Sequence, residues 1–450
     1  MRTLIAGAGD VGCFVAERLS RRGEVIILDN DEAALAAAEE QLDALTLLGD
    51  ATFRSVLRKA EVERADVFVA VTRDDATNLT AAAIAESLGA DRTIARVDAP
   101  GFYDVPVGIE RKVLGADALL CASRLMGSEL LSQIIALEAS FIFPFSGGEI
   151  QVAGVAVGDR SPLVGAPAGQ LKVQRQSAAA SAVLRDGRLE RPADVSSIAV
   201  GDIIITAGST KRVGEATWRI KGQRPGRVIV VGGGQNGSQL ASDLAELEFD
   251  VRLVERDRRV CEDLARRLND VAILHGDGTQ LSFLQSERVD AAQVLVSVTR
   301  SDEINMMASL LARQLGVPAA FALAHRSGYA PVYDQLGISG TTSSHEVLGR
   351  AIDWLLPGRR AVARAAVPGT GYEVVELRLS GLAGDRGGLR VRDLPIPVDC
   401  FRVGVVRTGR LVRDGAAEIH RGDHLLALGP AESLRRLDQA LERLAKERRG

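Results

Sequence analysis

The sequence predicts an α/β protein in which two Rossmann-like parallel-sheet domains alternate with two smaller α+β, strand-rich modules. The first observation is a pair of G-x-G-x-x-G patterns, at residues 7–12 and 232–237, each after a short apolar run. The second is an acid at the end of the next apolar run in both copies. The third is a resemblance between the segments that follow the two units. At 450 residues the chain is too long for one ordinary core, so several domains are expected.

Each glycine pattern has the context of a phosphate-binding turn. The first glycine permits a tight turn, the second lets a pyrophosphate approach the backbone, and the third lets the helix pack on the strand. The helix N-terminus then offers free N–H groups to phosphates. The predicted contacts are Gly7, Gly9, Asp10, Val11 and Gly12 in the first copy, and Gly232, Gly234, Gln235, Asn236 and Gly237 in the second.

An acid ends the second predicted strand of each copy. A Rossmann unit places here the carboxylate that accepts hydrogen bonds from a ribose. A carboxylate also repels a 2′-phosphate, which favours NAD(H) or an adenine nucleotide over NADP(H). The two acids are Asp29 and Glu255, and Asn30 and Arg256 directly after them are included in the predicted sites. The predicted strands are 3–6, 25–28, 228–231 and 251–254, and the helix after the first pattern is 11–20.

Polar residues also end two later apolar strands in both copies. Ligands of open α/β sheets bind at such carboxyl strand ends. These residue types are equally typical of turns and helix N-caps, so a purely structural role stays open for each one. The residues are Gly49, Asp50, Ala51, Thr72, Asp75 and Asn78 in the first copy, and Gly276, Asp277, Thr299, Asp302 and Asn305 in the second.

The repeat predicts four domains in the order A-B-A′-B′. Their predicted bounds are 1–122, 140–222, 226–345 and 366–450, with a linker at 221–226. Each strand-rich B module contains a Gly-Asp pair before an apolar strand, at Gly201-Asp202 and Gly422-Asp423. The apolar stretches 119–137 and 347–356 are either crossover helices that pack on a neighbouring lobe or ordinary core helices. The segment 434–450 has the leucine spacing of an amphipathic helix.

Composition excludes several classes of protein. A net charge of −4 and 4% aromatic residues do not suggest a nucleic-acid surface. The four cysteines and five histidines are scattered, so neither a disulfide framework nor a metal site is predicted. Residues 1–3 lead directly into the first predicted strand, and no apolar run is long enough to span a bilayer without interruption by charge. We therefore expect a cytoplasmic protein without a signal peptide or a membrane span.

The residues in this order resemble the regulator-of-potassium-conductance domain (RCK, or KTN), and the duplicated four-part order resembles the TrkA family of Trk potassium-uptake regulatory proteins. The resemblance covers nearly the whole chain. It implies a peripheral subunit on the inner face of the cell membrane that binds NAD(H) and ATP or ADP. It also implies a Trk-type membrane potassium-transporting partner, whose ion flux the nucleotides gate, and a homo-oligomer, either a dimer or a tetramer of chains.

The resemblance also implies residue roles. The three glycines of the first loop hold phosphate, Asp29 holds ribose, Asp50 and Ala51 contact the adenine end, and Thr72 and Asn78 line the cleft. Arg96 matches a basic residue that faces the phosphates, whereas the aligned segment 320–326 of the second copy has no arginine at the equivalent place. The first site is therefore predicted to bind more tightly or to prefer the more highly phosphorylated ligand.

The main alternative is an NAD-dependent oxidoreductase. Such enzymes carry a positioned proton donor or nucleophile, but residues 140–222 contain no histidine or cysteine, and Cys400, His420 and His424 of the last module have no counterpart there. No catalytic residue is predicted, and His424 is expected to be packed or edge-exposed in a strand. A third alternative, a scaffold with vestigial clefts, leaves the acids at both strand ends without a role.

Overall fold

A computed structural model describes residues 1–99, 115–168, 180–222, 226–326, 329–356, 360–382 and 388–448. The chain divides into two compact units, and each is described by itself. Unit 1 comprises Met1–Leu130 and Gly226–Leu356, and unit 2 comprises Leu131–Pro225 and Pro357–Gly450. Each unit therefore contains one segment from each half of the chain.

The first segment of unit 1 is a parallel α/β sheet. Its strand order is β3-β2-β1-β4-β5-β6, so the chain reverses direction across the sheet between β1 and β4. A ligand cleft in such folds lies at this switch point. The elements are β1 Arg2–Ala6, α1 Asp10–Ser20, β2 Glu24–Asp29, α2 Glu32–Gln41, β3 Leu45–Leu48, α3 Arg54–Lys59, β4 Val67–Ala70, α4 Asp75–Leu88, β5 Thr93–Val97, β6 Ala118–Cys121 and α5 Ala122–Ala136, with a 3₁₀ turn at Val62–Arg64.

The first segment of unit 2 is an antiparallel sheet covered by one helix. Its strand order is β7-β8-β11-β9-β10. The elements are β7 Phe141–Phe145, β8 Ile150–Ala156, β9 Ala180–Arg185, β10 Arg188–Glu190, β11 Ile203–Gly208 and α6 Thr210–Lys221, with a 3₁₀ turn at Ser146–Gly148. Of the predicted linker 221–226, residues 223–225 lie outside the described ranges.

The second parallel sheet repeats the first in order and direction, as β14-β13-β12-β15-β16-β17. Its central strands are buried on both faces, which accounts for their continuous apolar runs. The elements are β12 Arg227–Val231, α7 Gln235–Glu246, β13 Asp250–Glu255, α8 Arg258–Arg267, β14 Val271–His275, α9 Leu281–Ser286, β15 Val294–Ser297, α10 Asp302–Gln314, β16 Ala319–Ala324, α11 Ala330–Gln335, β17 Gly340–Ser343 and α12 Ser344–Leu355, with a 3₁₀ turn at Val289–Ala291.

The second antiparallel sheet has the strand order β18-β19-β22-β20-β21, which matches the first one strand for strand. The predicted fold class of two Rossmann-like sheets alternating with two strand-rich modules is thereby confirmed. The elements are β18 Ala361–Ala366, β19 Tyr372–Arg378, β20 Phe401–Arg407, β21 Arg410–Val412, β22 His424–Pro430 and α13 Ala431–Glu447, with a 3₁₀ turn at Val391–Asp393. The terminal helix α13 thus begins three residues before the predicted start at Leu434.

The Gly-Asp pair of each module has a structural role. Asp202 accepts two hydrogen bonds from the Arg185 guanidinium, at 2.8 and 2.6 Å, and Asp423 accepts the same two from Arg407, at 2.9 and 2.7 Å. Both carboxylates are buried. Bidentate Arg–carboxylate pairs are among the stronger polar contacts in proteins. In each module the pair fastens the turn before the last strand to a neighbouring strand.

The two modules of unit 2 also share a buried polar cluster. Glu376 is fully buried and accepts hydrogen bonds from the backbone N–H and the hydroxyl of Ser146, both at 2.9 Å. The Nδ1 atom of His424 lies 2.8 Å from the same carboxylate. His424 is therefore packed inside rather than exposed at an edge. Because buried polar groups need partners, this cluster fixes which faces of the two modules meet.

Among the helices of the described ranges, none combines the length and the apolar character needed to cross a bilayer. All four cysteines are free. Three of them, Cys121, Cys261 and Cys400, are buried, whereas Cys13 is half-buried.

The buried ion pair of the second module predicts a stability effect. Replacing Asp423 by alanine leaves the Arg407 guanidinium without its carboxylate, and we expect the free energy of unfolding to fall by about 3 kcal/mol. Urea unfolding followed by circular dichroism measures this change. The matched control is Glu262→Ala, which breaks the exposed Arg258–Glu262 pair on α8 and should cost less than about 0.5 kcal/mol. Equal losses in the two variants would contradict the structural role.

Candidate functional site

The first candidate site is the turn between β1 and α1. Gly7 has a φ of +115°, which disfavours any residue with a side chain. A Cβ on Gly12 would lie 1.8 Å from the Gly7 carbonyl oxygen, so this helix can approach the turn only with glycine there. A Cβ on Gly9 would meet nothing within 4 Å. The space beside Gly9 is therefore open to a ligand, as the prediction of a phosphate-binding turn requires.

The turn between β12 and α7 repeats this geometry. Gly232 has a φ of +109°, and a Cβ on Gly237 would lie 1.9 Å from the Gly232 carbonyl oxygen. Again a Cβ on the middle glycine, Gly234, would meet nothing within 4 Å. The same division holds in both halves: the outer two glycines serve the fold, and the middle one leaves space at the N-terminus of the helix.

The two predicted ribose acids are held against their glycine turns by backbone N–H groups. Asp29 accepts from the N–H of Ala8 at 2.6 Å and of Asp31 at 2.9 Å. Glu255 accepts from the N–H of Gly233 and of Asp257, both at 2.7 Å. A carboxylate has about four acceptor positions. Both half-buried acids therefore keep capacity to accept hydrogen bonds from ribose hydroxyls.

Two compensating size changes distinguish the halves. Glu255 is one methylene longer than Asp29, and a Cβ on Gly233 would lie 2.7 Å from Leu264 Cδ1 and 2.9 Å from Glu255 Oε2, whereas the first half has Ala8 beside the shorter acid.

The second change pairs Val231 with Gly278 where the first half has Ala6 and Ala51. A Cβ on Gly278 would lie 2.5 Å from Val231 Cγ1. The larger Val231 therefore occupies the space that a side chain at position 278 would need.

The acids after β3 and β14 form tight local turns. Asp50 accepts from the N–H and the hydroxyl of Thr52 at 2.8 and 2.7 Å, and Asp277 accepts from Thr279 at the same distances. The Thr279 hydroxyl bond lowers the pKa of Asp277, with a smaller contribution from the charge of Arg256. Gly49 and Gly276 precede these acids and pack against Val56 and Phe283.

Asn78 holds the ends of two strands together. Its carbonyl oxygen accepts from the N–H and hydroxyl of Thr72, at 2.9 and 2.7 Å, and its amide donates to the carbonyl oxygens of Thr72 and Arg96, both at 3.0 Å. Asn305 makes the same contacts with Thr299 and with the carbonyl of Leu323. Both asparagines are fully buried. Each asparagine therefore holds its threonine and the end of the next strand in place beside the cleft.

Asp75 and Asp302 fasten the segment after the next strand. Asp75 accepts from the N–H groups of Asp98 and Ala99, both at 2.8 Å. Asp302 accepts from those of His325 and Arg326, at 2.7 and 3.1 Å. These two carboxylates are engaged with backbone at the first turn of α4 and α10, which is the structural role left open by the sequence.

The strand registers place Leu323 at the position of Arg96. Asn78 bonds the Arg96 carbonyl where Asn305 bonds that of Leu323, so the aligned arginine is absent from the second half. The sequence did not reveal the partner of Arg96: its guanidinium donates to Asp98 at 3.1 and 2.6 Å. The equivalent of Asp98 is His325, whose ring bonds the Thr299 carbonyl at 2.9 Å. The two clefts therefore differ in charge at this edge.

The helix N-termini differ as well. Asp10 is exposed at the start of α1, whereas Gln235 occupies that place in α7. The Nε2 atom of Gln235 is buried, and among the described residues it has no hydrogen-bond partner. An orphaned buried donor at a helix N-terminus fits an anionic ligand. Of the remaining predicted residues, Val11 is buried, Asn236 is half-buried, and Asn30 is exposed.

In the described part of the chain, no cluster of three or more His, Cys, Asp or Glu side chains has the arrangement of a metal site.

Comparison with known proteins places this geometry in a family. The TrkA-N domain family matches residues 3–120 and 228–344. A Trk system potassium uptake protein TrkA homolog from Archaeoglobus fulgidus is 30% identical over 440 residues, which cover 98% of this chain and 99% of the relative. A Trk system potassium uptake protein TrkA from Azorhizobium caulinodans is 28% identical and covers 98% of each chain.

Solved structures show the same fold. The crystal structure of the GsuK RCK domain has a TM-score of 0.55 and 19% identity, and covers 98% of this chain and 95% of that one. The GsuK channel bound to NAD has a TM-score of 0.54 and 18% identity, with 98% and 79% coverage. At these identities the likeness concerns the fold.

The glycine turn predicts two different outcomes for one type of substitution. Gly12→Ala forces a Cβ into the Gly7 carbonyl, and we expect it to destabilise unit 1 by at least about 2 kcal/mol. Gly9→Ala should leave the unfolding free energy within about 0.5 kcal/mol, since nothing stands in the way of its Cβ. Thermal and urea unfolding of the two variants test this. Comparable destabilisation by both alanines would show that the open space beside Gly9 is not there.

Proposed function

This chain belongs to the TrkA family, with two TrkA-N domains, and from that premise we propose that it is a nucleotide-binding regulatory subunit of a potassium-uptake system. Each half would bind one nucleotide at its glycine turn. NAD(H) and ATP or ADP are the proposed ligands. Their binding would change the flux of potassium through a membrane transporter of the Trk type.

The fit of a dinucleotide to each cleft supports the proposed ligands. Phosphates would lie against the backbone of Gly9 or Gly234, where the space is open. A ribose would donate to Asp29 or Glu255, which keep free acceptor positions. A nucleotide that binds one conformation of the protein more tightly than another would shift the equilibrium between them. This shift is sufficient for regulation by a ligand. The remaining predicted site residues are proposed to line the same clefts.

The single observation that carries the regulatory role is the attachment of α1 to the other half of the chain. Arg18 on α1 donates through Nε to Asp353 on α12 at 2.8 Å. The helix whose N-terminus would meet the phosphates is therefore also the helix that packs on the second Rossmann domain. A displacement of α1 on binding would be passed directly to α12. This contact supports a switch, because it links the proposed phosphate site to the second Rossmann domain.

The proposed setting follows from the family. The subunit would sit at the inner face of the cell membrane in contact with a potassium-transporting membrane protein, and it would work as a dimer or tetramer of chains. Two Rossmann domains in one chain already supply a pseudo-symmetric pair, and closed symmetric assembly of such pairs is the common outcome.

Binding of nucleotides is tested by calorimetric titration with NAD, NADH, ADP and ATP. We expect saturable binding, with loss of one site in Asp29→Ala and of the other in Glu255→Ala, because each removes the ribose acceptor of one cleft. Arg258→Ala, on the surface of α8, is the control and should bind as the wild type does. No binding of any of the four nucleotides would overturn the proposal. Steady oxidation or reduction of the cofactor by a cell metabolite would instead favour an oxidoreductase.

Transport is tested with a Trk-type transporter reconstituted in vesicles. Addition of this chain should make potassium uptake depend on nucleotide, and the double variant Asp29→Ala, Glu255→Ala should abolish that dependence.

Arg96 predicts an inequality between the sites. We propose that the first cleft binds ADP or ATP more tightly than the second. Asp98 pairs with the Arg96 guanidinium, and the negative charge of Asp10 acts against phosphate binding. Arg96→Leu copies the second half, and we expect it to weaken ATP binding at the first site roughly tenfold, through loss of a charge-assisted contact of about 1.5 kcal/mol. Titration in the Glu255→Ala background isolates that site. Unchanged affinity in Arg96→Leu would remove Arg96 from the binding surface.

A further inference from the structure

The contact between α1 and α12 contains a buried histidine. Phe14 of α1 packs into the notch left by Gly349 of α12, where a Cβ would lie 2.5 Å from Phe14 Cε1. The ring of His345 lies 5.0 Å from the Phe14 ring, with the two planes tilted by 60°. His345 belongs to α12 in the second half of the chain, but its ring packs against α1, the helix that begins in the first glycine turn.

His345 is only 2% exposed and has an unusual hydrogen-bond state. Its Nε2 atom lies 2.9 Å from the hydroxyl of Ser343. Its Nδ1 atom is buried, and within the described ranges it has no hydrogen-bond partner. Native proteins seldom leave a buried ring nitrogen without a partner, and such an atom calls for a functional explanation.

The charges that face His345 come from both helices. Burial lowers the pKa of His345, and the carboxylates of Glu346 on α12 and Asp10 on α1 oppose that shift. Without a bound nucleotide, the His345 ring is therefore mainly neutral at pH 7. Cys121, at the end of the neighbouring strand β6, is a neutral thiol because burial raises its pKa to about 11. Among the other charged groups along this contact, Arg18 and Arg22 pair with Asp353, and Arg350 pairs with Glu129. Glu17 and Arg21 line the cleft beside Phe14.

Asp10 connects this histidine to the first nucleotide cleft. It is the first residue of α1 and lies within the glycine turn. Asp10 and Phe14 are four residues apart and thus share one face of the helix. By itself, the Asp10 carboxylate disfavours phosphate binding because like charges repel. A second negative charge brought there by a ligand would raise the affinity of a nearby imidazole for a proton.

The second half lacks this arrangement. Gln235 replaces Asp10 at the start of α7, and Ser123 occupies in α5 the place of His345 in α12, as the second residue of the helix after the last strand. Neither side chain titrates near neutral pH. The chain therefore contains an internal control for any effect of His345.

We propose that His345 is a positioning residue of the first nucleotide site and that it takes up one proton from solvent when a pyrophosphate-bearing nucleotide binds there. This inference rests on the proposed nucleotide-binding function. Protonation gives the ring a positive charge opposite Asp10 and the incoming phosphates. Binding at the first site is then tighter at lower pH, and this gain depends on His345.

The test is calorimetry with NAD, whose pyrophosphate does not titrate between pH 6 and 8. Glu255→Ala isolates the first site, and Asp29→Ala isolates the second. Titration in buffers of different ionisation enthalpy measures the protons exchanged. We expect up to about one proton taken up at the first site, with affinity rising by at most about tenfold per pH unit as the pH falls. The second cleft has a histidine of its own, His325, so there we expect only that His345→Gln leaves proton exchange unchanged.

His345→Gln and Asp10→Asn, each in the Glu255→Ala background, should abolish proton uptake and flatten the pH profile. His420→Gln, which removes an exposed histidine of unit 2, is the matched control and should change neither. A merely structural role for His345 would alter affinity without altering proton uptake. Uptake that persists in His345→Gln overturns this inference alone, while absence of NAD binding at both sites overturns the proposed function and the inference together.

Discussion

The close approach of a helix to a glycine turn is the constraint on which unit 1 depends. With the Gly12 Cα pressed against the Gly7 carbonyl, α1 can begin directly above the ends of the parallel strands. That placement lets Asp29 reach back to the turn and leaves the backbone at Gly9 open. The same placement turns the outer face of α1 toward α12, so that Phe14, Arg18 and the neighbouring histidine meet the other half of the chain. The N-terminus of α1 thus borders the ligand cleft, and its outer face makes the contact with α12.

Much of this could be predicted from the sequence because it depends on local pattern and on repetition. The glycine turns and the acids at the ends of β2 and β13 follow from spacing that occurs twice. The absence of an arginine opposite Arg96 was visible in the alignment of the halves, and the strand registers place Leu323 there. The adenine- and ribose-contacting roles of individual residues remain predictions.

Other features depend on contacts between residues far apart in the chain. The Ser146–Glu376 bond joins residues of different modules, and His424 is buried against that glutamate rather than at a sheet edge. The sequence leaves Asn78 and Asn305 as either ligand-contacting or turn residues. In the structure, Asn78 uses all the hydrogen-bonding capacity of its side chain to join two strands. No periodicity marks such roles, because they are set by the partner and not by the neighbours in sequence.

The size changes in the clefts have a consequence for exchanging residues between the halves. A Cβ on Gly233 would lie 2.7 Å from Leu264 Cδ1 and 2.9 Å from Glu255 Oε2, so alanine there requires both side chains to move. Gly233, Leu264 and Glu255 therefore form one set in the second half. A single residue copied from the first half into this set does not bring the geometry of the first cleft with it.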